Sequence, residues 1–228
     1  MKLRQINPLL LFMGEHCYLC CADQCYFAGE YRCTREPELR DLVFALKRGQ
    51  QAAVEHVSQR LTSAIPQGWA TKYTFVPMPR ASSAINTVKL VLERIGFRDY
   101  RDLLHQTGDT PASHNGWRPS PLDRSKILSV NELLSQPRPS TIAVVDDVLT
   151  TGAHFRAAKF VLNQRWPEAN VIGIFLARVC SRMRRCAREK VNPVPCPWGW
   201  NCPNHWESSR KIQSLQTRRW SLSYSHST

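Results

Sequence analysis

The stretch STIAVVDDVLTTGAH, residues 140–154, joins an apolar run, two adjacent acids and a turn of small residues. The run IAVV at 142–145 is short, continuous and rich in β-branched side chains, which is typical of a parallel strand buried on both faces. Asp146 and Asp147 follow at its carboxyl end, where two like charges are costly unless a ligand, a cation or water faces them. The apolar spacing over 153–164 then predicts a helix. The stretch therefore predicts a strand, a polar site and a helix N-terminus in direct succession.

The turn before this helix has the properties of a phosphate-binding loop. Free backbone N–H groups and the positive end of the helix dipole attract anions, and small residues let a phosphate approach closely. Thr150 and Thr151 add hydroxyl donors. The neighbouring acids suit the vicinal hydroxyls of a ribose or water around Mg²⁺, so the combination favours a sugar phosphate. The alternative is that the acids only cap the helix, which accounts for one acid better than for a pair.

The segment from Val144 to Gly152, VVDDVLTTG, resembles the phosphoribosyl pyrophosphate (PRPP) loop of type I phosphoribosyltransferases. Its apolar, acidic and small positions occur together, which makes the motif specific. The resemblance implies a type I phosphoribosyltransferase fold and Mg²⁺ bound together with PRPP. It also implies that Asp146 and Asp147 are the catalytic acids and contact the ribose hydroxyls. The substrate-binding turn around the 5′-phosphate would then consist of Leu149, Thr150, Thr151, Gly152 and Ala153.

Further strand and helix signals alternate along the chain. Residues 74–78 and 171–176 have strand patterns, and residues 85–95 have a helical one. This alternation predicts an α/β fold with a parallel sheet flanked by helices. Ligands of such sheets bind beyond the carboxyl ends of the strands, where the two acids are expected.

The sequence has 228 residues and nine cysteines. Five of these cysteines lie close together in the N-terminal part of the chain. Cys-x-x-Cys presents two thiolates to one ion, and four such ligands suit structural Zn²⁺. We therefore predict a zinc module over residues 1–35. Its expected ligands are Cys17, Cys20, Cys25 and Cys33, with Cys21 as an alternative to Cys25. Buried free thiols and a redox-active pair are the other interpretations of this cluster.

A cysteine knuckle ahead of a phosphoribosyltransferase domain resembles the ComF family, competence-associated proteins related to amidophosphoribosyltransferases. Members carry a helix ending near Leu-Lys, which Leu46-Lys47 matches, and a strand ending in Val-Pro-x-Pro, which Val76 to Pro79 matches. In related enzymes the loop after that strand holds pyrophosphate, so the resemblance implies that Pro79 and Arg80 bind substrate. The phosphoribosyltransferase domain would span residues 36–178.

Two regions depart from the ComF pattern. The loop after Pro79 has ASSAIN at 81–86 where the family has several arginines, leaving Arg80 and Asn86 for the pyrophosphate. The segment at 100–128 matches only loosely, in position, the mobile loop that closes over substrate. Reaction at C1 of the ribose needs water excluded and the leaving group neutralised. Binding without catalysis is therefore compatible with the sequence.

The C-terminal extension, residues 179–228, differs in composition from the rest of the chain. It is rich in arginine, contains tryptophans at 198, 200, 206 and 220, and has only Glu189 and Glu207 as acids. Together with a formal net charge of +13, this favours single-stranded nucleic acid as a partner, since cationic and aromatic side chains contact phosphates and stack bases. A tail that only improves solubility or makes loose contact with a membrane is the alternative. Cysteines 180, 186, 196 and 202 with His205 form a weaker candidate for a second zinc site.

No apolar stretch is long enough to span a bilayer or to form the core of a signal peptide, so we expect a cytoplasmic protein without a membrane span. Two functions remain. The first is a phosphoribosyltransferase that moves a phosphoribosyl group from PRPP, or binds a related ribose 5-phosphate, with a nitrogen nucleophile as acceptor. The second is a non-catalytic ComF-like accessory that handles single-stranded DNA during uptake and transformation.

Overall fold

The computed structural model describes residues 2–6, 18–20, 23–31, 37–80, 85–108 and 119–179. Its strands are β1 (Arg4–Gln5), β2 (Cys25–Tyr31), β3 (Thr74–Pro77), β4 (Leu104–Gln106), β5 (Leu128–Val130), β6 (Thr141–Leu149) and β7 (Asn170–Val179). Five of them form one sheet in the order β1, β2, β7, β6, β3, and β4 pairs with β5 alone. Within the large sheet only the β1–β2 pair is antiparallel. The chain therefore has the predicted α/β architecture with a mostly parallel sheet, which is compatible with a type I phosphoribosyltransferase fold.

Helices cover both faces of this sheet. They are α1 (Pro37–Lys47), α2 (Gln51–Ala64), α3 (Trp69–Lys72), α4 (Thr87–Ile95), α5 (Pro121–Ser125) and α6 (Ala153–Arg165). Side chains of α1, α2 and α4 share one apolar core with Val145 and Ile174 of the sheet. Phe155 and Leu162 of α6 share a second core with Val144 and Phe175. Adjacent strand residues thus point to opposite layers, as the alternation of side chains along a strand requires.

Local signals explain where several helices begin and end. The side chain of Asn86 accepts a hydrogen bond from the backbone N–H of Lys89 and caps α4, which ends at Gly96 in a left-handed conformation. Ser120 and Asp123 form a reciprocal capping box around the start of α5. Both signals are readable in the sequence, and they hold α4 and α5 in place on either side of the sheet.

The structure confirms the predicted strands and helices and extends two of the strands. β7 runs from 170 to 179, whereas the sequence predicted a strand over 171–176. β6 runs from 141 to 149, whereas the apolar run predicted a strand over 142–145. Its polar continuation stays in the sheet because β7 lies alongside, pairing Asp146 with Phe175 and Leu149 with Arg178. The two acids therefore lie inside the strand rather than after it.

β2 is a strand that the sequence did not indicate. It lies within residues 1–35, the predicted zinc module, yet it pairs in parallel with β7 over most of its length. Its strand pattern was hidden because the stretch was interpreted through its cysteines. Part of the predicted module is thus a strand of the large sheet. Among the described residues, no helix is long and apolar enough to cross a membrane.

Candidate functional site

The two acids follow the point at which β3 stops pairing with β6. β3 pairs with β6 as far as Pro77 opposite Val145, and the backbone N–H of Met78 donates one more hydrogen bond to the Val145 carbonyl at 2.8 Å. Beyond this point β6 continues beside β7 alone. Asp146 and Asp147 therefore occupy the carboxyl edge of the sheet, the usual position of ligand sites in this architecture.

Asp147 is surrounded by cations from two elements. Arg80 Nη2 donates to Asp147 Oδ2 at 2.5 Å, and Lys47 Nζ, at the end of α1, lies 3.5 Å from the same oxygen. The carboxylate is only 8% exposed. Burial and the charge of Asp146 raise the pKa of Asp147, and the two cations oppose this rise without cancelling it. Arg80, which we predicted to bind substrate, thus contacts one of the two motif acids, and Lys47 joins them.

Asp146 faces the opposite layer. Its Oδ1 accepts the backbone N–H of Asp147 at 2.8 Å, and its Oδ2 lies 3.8 Å from His154 Nδ1. The other ring nitrogen, His154 Nε2, contacts Arg124 Nη1 of α5. Burial lowers the pKa of Arg124, whereas Asp146 and Tyr18 raise it, and a guanidinium stays charged throughout the accessible pH range.

Three of these residues were missed by the sequence interpretation. Lys47 and Arg124 are far from the motif in sequence, and no local pattern connects either of them with the acids. His154 belongs to the motif stretch itself, and its place at the start of the predicted helix could have marked it as a neighbour of the phosphate turn. Asn86, expected beside the pyrophosphate, instead caps α4 and donates to the Met78 carbonyl at 3.0 Å.

The turn between β6 and α6 is shaped by Gly152 and by the N-terminal segment. Gly152 has φ +85°, and a Cβ built there would lie 2.6 Å from Leu19 Cγ. The backbone N–H of Tyr18 donates to the Thr151 carbonyl at 3.0 Å, while Thr150 is exposed. Ala153 N–H lies 3.4 Å from Thr151 Oγ1. The segment of residues 18–20 therefore packs directly against the predicted phosphate turn.

Asp23 connects residues 18–20 to α6. Its carboxylate is fully enclosed and accepts from Arg156 Nη1 at 3.1 Å, Lys159 Nζ at 2.9 Å and the Cys20 backbone N–H at 2.8 Å. Burial raises the pKa of Asp23, but Lys159, Arg156 and the Cys20 N–H outweigh burial and hold it below its usual value. Arg156 Nη1 also lies 3.2 Å from Cys20 Sγ. The cysteine segment is thus joined to the helix that follows the phosphate turn.

The predicted zinc ligands are described only in part. Cys17 and Cys33 lie outside the described residues, as does the alternative Cys21. Cys25 is wholly buried in β2, and its Sγ packs with the rings of Phe155 and Phe175 around Gly173. Burial raises the pKa of the Cys25 thiol well above its usual value. Within the described ranges, no three metal-binding side chains form a group. Zinc ligation by the predicted set stays a prediction.

Comparison with known proteins adds no identification. No protein-family model matches the sequence, and no curated protein shows significant similarity to it.

Proposed function

We propose that the chain binds PRPP or ribose 5-phosphate at the carboxyl edge of β6 and transfers the phosphoribosyl group to a nitrogen nucleophile. The observation that supports this most is the juxtaposition of two enclosed carboxylates with a glycine turn at the N-terminus of α6. Carboxylates accept hydrogen bonds from vicinal hydroxyls, and the turn offers N–H groups to a phosphate. A ribose phosphate is small, so it needs the carboxylates and the phosphate-binding turn to be no farther apart than the length of one sugar.

The reaction assigns a task to each group. Asp146 and Asp147 would hold the ribose hydroxyls, and the turn at 149–153 would hold the 5′-phosphate. The bond from C1 to pyrophosphate breaks with its electron pair leaving on oxygen, and the acceptor nitrogen forms the new bond to C1 and then loses a proton. Arg80 and Lys47 would place positive charge near the leaving group. Mg²⁺, carried with PRPP, supplies further neutralisation of the pyrophosphate oxygens.

Release of pyrophosphate tests this proposal. Full-length protein with PRPP and Mg²⁺ should release pyrophosphate when a panel of amines and nucleobases includes its acceptor, and Asp146→Asn should abolish the release. Asp41→Asn, which alters an exposed carboxylate of α1, is the matched control and should retain it. PRPP binding without release from any acceptor would favour the second candidate function, and absence of both would overturn the proposal.

The second candidate, an accessory that handles single-stranded DNA, is supported by the arginine and tryptophan content of residues 179–228. Each phosphate contact made by this extension would release counterions, so its removal should weaken DNA binding and flatten the salt dependence. Ribose 5-phosphate binding should be unaffected by the truncation. A truncated protein with unchanged DNA affinity and salt slope would exclude this role for the extension.

A further inference from the structure

Arg124 lies beside His154, on the other side of the imidazole ring from Asp146. Its Nη1 contacts His154 Nε2, and His154 is the second residue of α6, directly after the turn. Tyr18, whose backbone N–H donates to the Thr151 carbonyl, raises the pKa of Arg124. The guanidinium therefore contacts the helix that directly follows the turn.

One N–H donor of Arg124 has no acceptor in the part of the chain that the structure describes. A guanidinium carries five N–H donors in a fixed fork, and the Nε of Arg124 is buried without an acceptor among the described residues. A buried donor without an acceptor carries a desolvation penalty. Arg80 differs, because its Nη2 is bonded to Asp147. A ligand oxygen at this place would satisfy a group that the protein alone leaves without a partner.

The position of Arg124 is fixed by its own helix. The capping box of Ser120 and Asp123 closes the start of α5, and the buried Ser125 hydroxyl donates to the Leu122 carbonyl at 2.8 Å. His154 holds the far end of the side chain from α6. The backbone is thus fixed within α5 and the side chain is held by His154 of α6, which reduces the entropy lost when Arg124 binds a ligand.

We propose that Arg124, positioned by His154, binds the 5′-phosphate of the ribose phosphate held by the turn at 149–153. This rests on the proposed function and adds a specificity residue to it: the site would select a phosphomonoester through a charged fork in addition to backbone N–H groups. Arginine suits this task because its fork matches two phosphate oxygens at once. The competing role is structural, in which Arg124 only balances Asp146 and joins α5 to α6.

Calorimetry with ribose 5-phosphate separates these roles. We expect Arg124→Ala to weaken affinity by about ten- to a hundredfold, the loss typical of a charge-assisted hydrogen-bonded pair. Arg124→Lys keeps the charge without the fork and should give a smaller loss, and it serves as the second variant if the alanine protein does not fold. Arg165→Ala is the matched control, since this exposed arginine at the end of α6 bonds Glu132 and should leave affinity unchanged.

The phosphorus resonance of bound ribose 5-phosphate provides a readout that a structural role would not alter. Removal of a guanidinium from the phosphate should move the bound resonance toward that of free ligand in Arg124→Lys, while Arg165→Ala should not. If the wild-type protein binds and Arg124→Ala and Arg124→Lys bind equally well with an unchanged resonance, the inference is overturned and the proposed function stands. If the wild-type protein does not bind ribose 5-phosphate, both fail together.

Discussion

At the residue scale, the buried charge of Asp147 in the candidate site lowers the stability of the folded protein at neutral pH. The folded protein encloses two adjacent carboxylates, and Arg80 and Lys47 offset this only in part, because the pKa of Asp147 remains above its usual value near 3.8. A raised pKa means that the folded state keeps its proton where the unfolded chain has lost it. The stabilising contribution of Asp147 is therefore fully present below its unfolded pKa, near 3.8, and is lost as pH rises through its higher folded pKa.

Asp147→Asn should consequently raise the free energy of unfolding at neutral pH, since it removes a charge that the fold disfavours. The variant should also lack the fall in stability that Asp147 causes as pH rises from its unfolded pKa through its folded pKa. Thermal melting between acidic and neutral pH checks this, because each kcal/mol shifts the midpoint by about 2–4 °C in a domain of this size. A neutral-pH midpoint below that of the wild-type protein would show that the ion pairs with Arg80 and Lys47 outweigh the burial of charge.

Gly152 provides the second test at this scale. Gly152→Ala should destabilise the protein by about 1–3 kcal/mol and weaken ribose 5-phosphate binding, because the new Cβ meets Leu19 at 2.6 Å and the residue keeps φ +85°. Gly68→Ala is the control, since its Cβ would meet nothing within 4 Å. Chemical denaturation measures the first effect and calorimetry the second. Equal behaviour of the two alanine variants would contradict the close approach of Leu19 to the turn.

At the element scale, the sequence predicts what local chemistry determines. The β6–turn–α6 unit, the strand at β3 and the helix at α4 follow from apolar periodicity. The cap of α4 is also local, but we expected its residue, Asn86, beside the pyrophosphate. The length of β6 and the identity of β2 do not follow from local chemistry, because each depends on pairing with β7. The same limit explains why Lys47 and Arg124 were missed. The contact of Lys47 with Asp147 and that of Arg124 with His154 arise from the packing of α1 and α5, which no local pattern contains.

Cys20 and Asp23 attach the N-terminal part of the chain to α6. Asp23→Asn should destabilise the protein by about 3–5 kcal/mol, the usual effect of leaving enclosed cations without their anion. It should also weaken ribose 5-phosphate binding, because Tyr18 and Leu19 would no longer be held beside the turn. Chemical denaturation and calorimetry on the full chain measure both effects.

Glu132→Gln is the matched control for Asp23→Asn. It breaks the exposed ion pair between Glu132 and Arg165, which belongs to α6 like the cations that pair with Asp23. Exposed ion pairs contribute little to stability. We therefore expect no measurable change in stability or ligand binding. If Asp23→Asn behaved like this control, the N-terminal segment would have no part in forming the site.

At the scale of the whole molecule, the cysteines raise the question of a metal. We expect about one zinc per chain in freshly purified protein, and Cys17→Ser combined with Cys20→Ser should remove it by leaving too few thiolates. Cys196→Ser with Cys202→Ser is the control, and zinc content should be unchanged if the C-terminal cysteines bind none. Elemental analysis decides this. Wild-type protein without zinc would leave free thiols as the interpretation of the cluster.

The arrangement of the whole molecule places its two apolar cores on either side of β6, so the acids at its carboxyl edge are held by both layers. A phosphoribosyl site at this edge is the central claim, and calorimetric titration of ribose 5-phosphate tests it most directly. The wild-type protein should bind saturably, and the Asp146→Asn, Asp147→Asn double variant should keep its fold by circular dichroism but lose binding, because its amides cannot replace both carboxylate acceptors. Equal affinity in the two proteins, or no binding by the wild-type protein, would contradict the claim.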